Sequence, residues 1–193
     1  LALDTFFDTP SPRILNDVLA QRGIKFGQRI YSEPDTSQTQ IVLTEENGKK
    51  SVFPLYQDAV TGYFYFYARL PVACIQNDKE LQPRPLEMQR LWQLYRHLRN
   101  HTQLSPSIGR LVDNQILIFD GQHKIAAQVW AGQSHVDCKI YLDPNIHDIM
   151  QTNLDAHYAL KQMSFYSSIM VGKLAQLFEK EWQAFMSQPS IKS

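Results

Sequence analysis

The sequence predicts a mixed α/β (α+β) fold, and three observations lead to this prediction. Residues 63–70, YFYFYARL, alternate tyrosine with phenylalanine, which is the period of a β-strand with two unlike faces. Residues 86–100 place apolar side chains three and four positions apart, as an amphipathic helix does. Residues 117–132, LIFDGQHKIAAQVWAG, run from an apolar strand through a polar turn into a small-residue helix.

The composition describes a chain that can bury one sizeable core. It has 193 residues, 44% of them hydrophobic, and its 19 basic and 19 acidic side chains balance. This balance argues against a strongly basic nucleic-acid coat, although a local basic patch stays open. No apolar run approaches the roughly 20 residues that span a bilayer, and no signal peptide is visible. Cys74 and Cys138 lie in apolar runs, which favours reduced core thiols in a cytoplasmic protein over a disulfide or a metal pair.

Residues 1–69 are predicted to form a β-rich N-terminal extension that begins with a short helix. Ser11 is placed to cap this helix, and Pro12 fits its first turn. Residues 41–56 predict a hairpin that turns at Asn47-Gly48. The strand over 63–70 has two interpretations: its tyrosines face water on a half-buried strand, or they form a stacking platform for bases or a partner.

Residues 70–143 are predicted to form an α/β core. Strands are expected at 70–75, at the end of 103–111, at 115–119 and at 136–142, and helices at 86–100 and 122–131. Residues 144–193 predict a helical C-terminal part. Its apolar stripe favours burial in the core or in a dimer interface over a ligand site.

The turn between the strand at 115–119 and the following helix carries the predicted site. The first N–H groups of a helix lack intrahelical partners, and the helix dipole places positive potential there. Gly121 lets another group approach the backbone closely, while His123 and Lys124 add side-chain donors. The turn is therefore a candidate phosphate site; the alternative is a tight turn with an ordinary surface histidine and lysine. No CxxC, GxSxG or Walker-type glycine loop competes with it.

The order of these motifs resembles the N-terminal domain of ParB partition proteins over residues 68–143. That domain reads as a strand, a QPR loop, a helix, LxPIxVR, a strand, a GERRxRA box, a helix and a strand. The matching residues here are Gln82, Pro83 and Arg84, then Leu104, Pro106, Ile108 and Arg110, then Gly121, His123, Lys124 and Ala127. The DGQHK string is similar to the DGQHR branch of the same superfamily, which includes proteins linked to DNA phosphorothioation and phage defence.

The resemblance implies a ParB/sulfiredoxin-like core that binds a nucleotide. It places the phosphates at Gly121, His123 and Lys124, within reach of Gln82, Arg84 and Arg110. The second nucleotide box of the family, ENxQR on the next helix, is matched poorly here. Asn153, His157 and Lys161 share one helix face and are the candidates to close over the phosphates; a solvated polar face is the alternative.

Two positions at the box decide which chemistry the resemblance allows. The ParB box has glutamate where this chain has Gln122, which removes an acidic group that helps to hold a metal or a water, although Asp120 lies next to it. The candidate catalytic residues are Asp120 and Gln122, with Asp120 also a candidate metal ligand. Sulfiredoxin has its nucleophilic cysteine at the position of Gln122, and an amide cannot attack a sulfinate. The resemblance therefore does not imply a sulfiredoxin reaction.

These observations predict a nucleotide-binding switch or weak NTPase of a DNA maintenance or phage-defence system, using a nucleoside triphosphate with Mg²⁺. Two other classes stay open. One is a metal-dependent DNA nuclease on the same fold. The other is a non-catalytic DNA-binding regulator or protein-assembly module, with a protein partner or homodimer contact through the C-terminal helices. No membrane association is expected.

Overall fold

A computed structural model describes residues 11–82, 84–152, 155 and 183, and it confirms the mixed α/β (α+β) class. Up to residue 145, the described part contains three α-helices and nine strands in two sheets. No helix within these residues combines the length and the apolar character needed to cross a membrane.

Helix α1 spans Leu15–Gln21 and begins later than the sequence predicts. The predicted cap Ser11 lies upstream of it, and Ile14 takes the N-cap position. The Asp17 carboxylate instead accepts hydrogen bonds from the N–H groups of Arg13 and Ile14. An acidic side chain in the first turn therefore satisfies donors that the predicted serine was expected to satisfy.

The first sheet is an antiparallel meander in the order β1-β2-β3. Its strands are β1 (Ile30–Pro34), β2 (Gln40–Glu45) and β3 (Lys50–Pro54). The hairpin between β2 and β3 turns at Gly48, as predicted, where φ is +83°. Alternate residues of β2, Ile41 and Leu43, are buried, so one face of this sheet joins the core.

The second sheet has six strands in the order β4-β5-β9-β7-β8-β6. Their ranges are β4 (Tyr56–Gln57), β5 (Phe64–Pro71), β6 (Ile75–Asn77), β7 (Ser107–Val112), β8 (Gln115–Asp120) and β9 (His135–Leu142). The β6–β8 and β7–β9 pairs are parallel, whereas β4–β5, β5–β9 and β7–β8 are antiparallel. The strand predicted over 70–75 is only partly present, because Val72–Cys74 form a 3-10 turn between β5 and β6.

Helices α2 (Met88–Leu98) and α3 (Gln122–Trp130) pack against each other, and α1 also packs against α3. Ala126 and Ala127 are fully buried, so α3 approaches its neighbours closely. Side chains along the central strands alternate, and one face of the six-stranded sheet contributes Phe66, Ile118 and Ile140 to the core. Both cysteines are free and buried; burial raises the pKa of Cys74 to about 11 and that of Cys138 to about 12.

The chain divides into two units, residues 1–145 and 146–193. In the second unit, residues 146–152 are helical. The apolar stripe expected in the C-terminal part lies almost entirely outside the described residues. In the first unit, the boundary proposed between residues 69 and 70 falls inside β5, which pairs along its length with β9.

Candidate functional site

The turn between β8 and α3 requires glycine for two reasons. Gly121 occupies the N-cap position of α3 with φ of +87°, in the left-handed region. A Cβ atom there would lie 2.5 Å from Ser107 Oγ and 3.1 Å from Lys124 Cε. The close group that the glycine accommodates is therefore Ser107, at the start of β7, whatever else binds nearby.

Helix α3 begins without a side-chain cap from its N-cap residue, since Gly121 has none. The Ile125 N–H donates to the Gly121 carbonyl at 3.1 Å, which is the first hydrogen bond of the helical ladder. The N–H groups of residues 122–124, in the first turn of α3, have no acceptor within the helix and point out of its N-terminal end. Together with the helix dipole they favour an anion at this end of α3.

The segment 78–87, which contains the QPR motif, is hydrogen-bonded to this turn at three points. Gln82 Nε2 donates to the Phe119 carbonyl at 3.0 Å, and the Gln122 amide donates to the Arg84 carbonyl at 2.8 Å. The Glu87 N–H donates to His123 Nε2 at 2.9 Å. The structure thus brings together Gln82 and Arg84 with the box at 121–124, as the sequence predicts; Pro83 lies outside the described residues.

Gln122 is only 2% exposed, and one of the two polar atoms of its side chain has a hydrogen-bond partner. Its Nε2 is fixed on the Arg84 carbonyl, whereas its Oε1 has no hydrogen-bond partner within the described part of the chain. The amide cannot be turned around, because two carbonyl oxygens would then face each other. A buried acceptor left without a donor costs about 1–3 kcal/mol, so Oε1 is a ready acceptor for a donor that enters the site.

His123 is held in its neutral form. Its Nε2 accepts a hydrogen bond, so its remaining proton lies on Nδ1. Burial lowers the pKa of His123, and the charges of Arg90 and Arg84 lower it further against the opposing effect of Glu87. The histidine can therefore offer one N–H donor, and the positive potential around it comes from the two arginines.

Lys124 holds the segment before β7. Its Nζ lies 3.1 Å from the Ser105 carbonyl, 3.0 Å from Ser105 Oγ and 3.2 Å from the Pro106 carbonyl. These three acceptors match the three protons of the ammonium group. Burial lowers the pKa of Lys124, although Asp120 acts in the opposite direction. A phosphate that binds Lys124 has to replace part of this arrangement.

Arg110 lies away from the turn between β8 and α3. Its Nε is 2.7 Å from Asp78 Oδ2, and its Nη2 is 3.3 Å from Glu80 Oε2. These residues line a cleft of about 240 Å³. In the regular pairing of β7 with β9, Ser107 lies opposite Cys138 and Arg110 opposite Tyr141, so Arg110 projects from the face opposite to Ser107, which contacts Gly121. The nucleotide contact predicted for Arg110 has no geometric support in this arrangement.

Asp120, the candidate metal ligand, is the last residue of β8 and is half-buried. Across the described residues, no three histidine, cysteine or carboxylate side chains gather as a metal centre would require. The predicted contacts Asn153, His157 and Lys161 lie outside the described residues.

Sequence reasoning missed three groups at this site: Ser107, Arg90 and the Glu87 N–H. Ser107 is the first residue of β7, but nothing in its sequence spacing from Gly121 indicates contact. Arg90 is one turn into the predicted helix at 86–100, a position that is consistent with a solvated face as well as a site.

Comparisons with known proteins give similarity of fold over less than half of this chain. No protein-family model and no curated protein sequence matches it. It is similar to the C-terminally truncated chromosome-partitioning protein ParB from Caulobacter crescentus, in a crystal structure with CTP-γ-S. That match has 17% identity and a TM-score of 0.41, and it covers 47% of this chain and 52% of the ParB chain, about half its length.

The chain is also similar to sulfiredoxin from Arabidopsis thaliana. Here the identity is 20% and the TM-score 0.36, over 46% of this chain and 96% of that chain. Both structures belong to the families that the sequence motifs resemble. Membership of the DGQHR branch stays a prediction.

Proposed function

We propose that this chain is a nucleotide-binding switch whose site for the phosphates is the start of α3. The observation that carries the proposal is the glycine-led helix start, which has no side-chain cap from Gly121 and lies under the segment 78–87. Arg84 and Arg90 act on His123 from this segment and from α2, so the positive potential of the helix start is reinforced by two side chains.

The buried Oε1 of Gln122 favours a ligand that carries hydrogen-bond donors as well as acceptors. Phosphate oxygens accept from the N–H groups at 122–124 and from Lys124, whereas Oε1 of Gln122 needs a donor. A nucleotide supplies both, since its sugar hydroxyls and its base amino group can donate. Oε1 is equally suited to hold a water molecule. If the nucleotide is hydrolysed, Gln122 and Asp120 are the residues proposed to orient the attacking water.

The switch is proposed to act through Lys124. In the structure this ammonium group binds the segment 105–106. Transfer of its hydrogen bonds to a phosphate would release this segment, so nucleotide binding and the position of residues 105–106 are coupled. The proposed role in DNA maintenance or phage defence rests on the family resemblance alone.

The test is calorimetry with nucleoside triphosphates and the matching nucleosides, cytidine triphosphate included because the ParB structure contains CTP-γ-S. Lys124→Ala and Arg84→Ala should each weaken triphosphate binding about ten- to one-hundred-fold, since a charge-assisted hydrogen bond contributes roughly 1.5–3 kcal/mol. Binding of the nucleoside should hardly change.

Two control variants separate a phosphate contact from a general disturbance. Ser105→Ala removes one acceptor of Lys124 without touching the phosphate donors, so it should preserve or increase triphosphate affinity. Arg29→Ala, an exposed arginine before β1, should have no effect. Equal losses for triphosphate and nucleoside, or no triphosphate binding by the parent chain, would remove the phosphate assignment.

A further inference from the structure

A cluster of four tyrosines surrounds a lysine on the six-stranded sheet, and we call it the tyrosine platform. Its members are Tyr56 of β4, Tyr65 and Tyr67 of β5, and Lys139 and Tyr141 of β9. Side chains alternate along β5, where Phe66 and Ala68 are buried in the core. The tyrosine platform therefore lies on the opposite face of the sheet, and it shares no residue with the proposed phosphate site.

The rings of the tyrosine platform form a continuous set across three strands. Tyr65 stacks on Tyr56 with ring centroids 5.6 Å apart, and it meets Tyr67 edge to face at 5.9 Å. Tyr141 lies 5.5 Å from Tyr65 on the other side. Tyr56 and Tyr67 are 45% and 48% exposed, so two rings of the set are open to a ligand.

The ammonium group of Lys139 is held among these rings. Its Nζ lies 4.2 Å from the centroid of Tyr65 and 4.8 Å from that of Tyr141, within cation–π distance. Burial alone would lower the pKa of Lys139, but a hydrogen bond with Tyr141 and the phenols of Tyr141, Tyr67 and Tyr65 raise it. Lys139 is therefore cationic at neutral pH.

The charge of Lys139 has no ion-pair partner among the carboxylates of the described residues. None of the ion pairs formed between described residues includes it. The Asp58 carboxylate accepts hydrogen bonds from the N–H groups of Thr61 and Val60 in its own turn. These hydrogen bonds lower the pKa of Asp58, and the charge of Lys139 adds a smaller contribution in the same direction. An exposed face with open aromatic rings and an unpaired cation suits a ligand that has flat rings and an anionic group.

We propose that the tyrosine platform binds single-stranded nucleic acid, with bases stacked on Tyr56 and Tyr67 and a phosphate held by Lys139. Every base has a flat face that stacks on tyrosine, and the backbone supplies the anion. A duplex hides its base faces within the stack. A proline-rich peptide fits aromatic rings but brings no anion for Lys139.

The number of cations at the tyrosine platform also determines how strongly the affinity for single strands depends on the salt concentration. Single-stranded binding loses about 0.7 units of log affinity per unit of log salt for each phosphate that is neutralised. Lys139 provides one such contact, and Arg69, exposed two positions after Tyr67 in β5 and opposite Asp137 of β9, can provide a second. The slope should therefore lie between about −0.7 and −1.4, far shallower than that of a basic nucleic-acid-binding surface.

The experiment is fluorescence anisotropy with labelled oligonucleotides of about 15 nucleotides, namely oligo-dT, oligo-rU and a DNA duplex. The full chain should bind the single strands more tightly than the duplex, and the dT and rU arms show whether DNA or RNA is preferred. Tyr67→Ala and Tyr56→Ala should each weaken binding about five- to 150-fold, whereas Tyr67→Phe keeps the ring and should bind like the parent. Lys139→Gln should flatten the salt slope.

Tyr31→Ala is the matched control, because Tyr31 is also 48% exposed but lies on β1 of the other sheet. It should leave the affinity unchanged. Four results would each overturn the proposal: no binding of either single strand, equal binding of the duplex, the same loss from Tyr31→Ala as from Tyr67→Ala, or binding of a proline-rich peptide in place of the oligonucleotides. Lys139→Gln and Tyr67→Phe keep the test decisive if an alanine variant fails to fold.

Discussion

Replacing Gly121 by alanine adds one methyl group at the most constrained point of the β8–α3 turn. The left-handed backbone alone should cost about 1–3 kcal/mol of stability for a residue with a Cβ atom. The new methyl group would also press on Ser107, so we expect a larger loss. Urea unfolding measures it.

Gly132→Ala separates the two contributions. Gly132 has a similar φ of +85°, but no atom lies within 4 Å of its added Cβ. It should show the backbone cost alone. If Gly121→Ala were no more destabilising than Gly132→Ala, the contact with Ser107 would be unimportant.

Asp78 neutralises the buried guanidinium of Arg110. Asp78→Ala would leave that charge without its closest partner, which typically costs about 3–5 kcal/mol. It would also remove the acceptor for the N–H groups of Glu80 and Leu81. Glu80→Ala is the matched control. Its side chain is 66% exposed, and we expect a loss below about 1 kcal/mol. Similar denaturation midpoints for the two variants would contradict this assignment.

At the scale of single residues, sequence reasoning found the polar positions of the turn but not their partners. Gly121, His123 and Lys124 stand out because charged and flexible residues interrupt a strand-to-helix pattern. Their partners depend on tertiary structure: the Glu87 N–H is 36 positions from His123, and Ser105 is 19 positions from Lys124. No local periodicity encodes such contacts.

Between elements, His123 links α3 to Glu87, the N-cap residue of α2, and this link should depend on pH. The pKa of His123 in the folded chain lies below its ordinary value of 6.5. Between these two values the unfolded chain binds a proton that the folded chain does not. The stability that neutral His123 contributes is therefore complete above about pH 6.5 and is lost as the pH falls through its folded pKa.

His123→Gln should reduce this loss of stability on acidification, because an amide oxygen can still accept from the Glu87 N–H but does not titrate. Chemical unfolding at several pH values between about 5 and 8 measures the slope. Gln93→Ala, at an exposed residue of α2 that does not titrate, is the control and should keep the slope of the parent. If the free energy of unfolding of His123→Gln changed with pH as it does in the parent, another group would be responsible for the loss of stability at low pH.

Elements with strong periodicity were predicted well from the sequence. The helices at 88–98 and 122–130 and the strands at 107–112, 115–120 and 135–142 lie close to their predicted ranges. Short elements were harder. The apolar run 70–75 suits a strand as well as the end of β5 followed by a 3-10 turn, and the choice depends on pairing with β8 and β9.

The core cluster formed by the described residues lies in the first unit of the chain. Its buried residues run from Leu15 to Ile140, and both sheets lie within residues 1–145. We therefore expect a chain that ends at Asn145 to fold, with a single cooperative urea transition seen by both far-UV circular dichroism and tryptophan fluorescence. Separate transitions for the two signals, or a chain without cooperative unfolding, would show that residues 146–193 are needed.

The pairing of β5 with β9 sets the order in which the molecule can be assembled. Tyr65 pairs with Tyr141 and Pro71 with His135, so more than sixty residues separate the two strands along the chain. During synthesis, β5 emerges long before its partner, and its apolar side chains and its unpaired edge stay available for wrong contacts. Closure of the central sheet therefore waits for β9. Such long-range pairing is typical of slow folding, so production of this protein should be sensitive to temperature and to chaperones that protect strand edges.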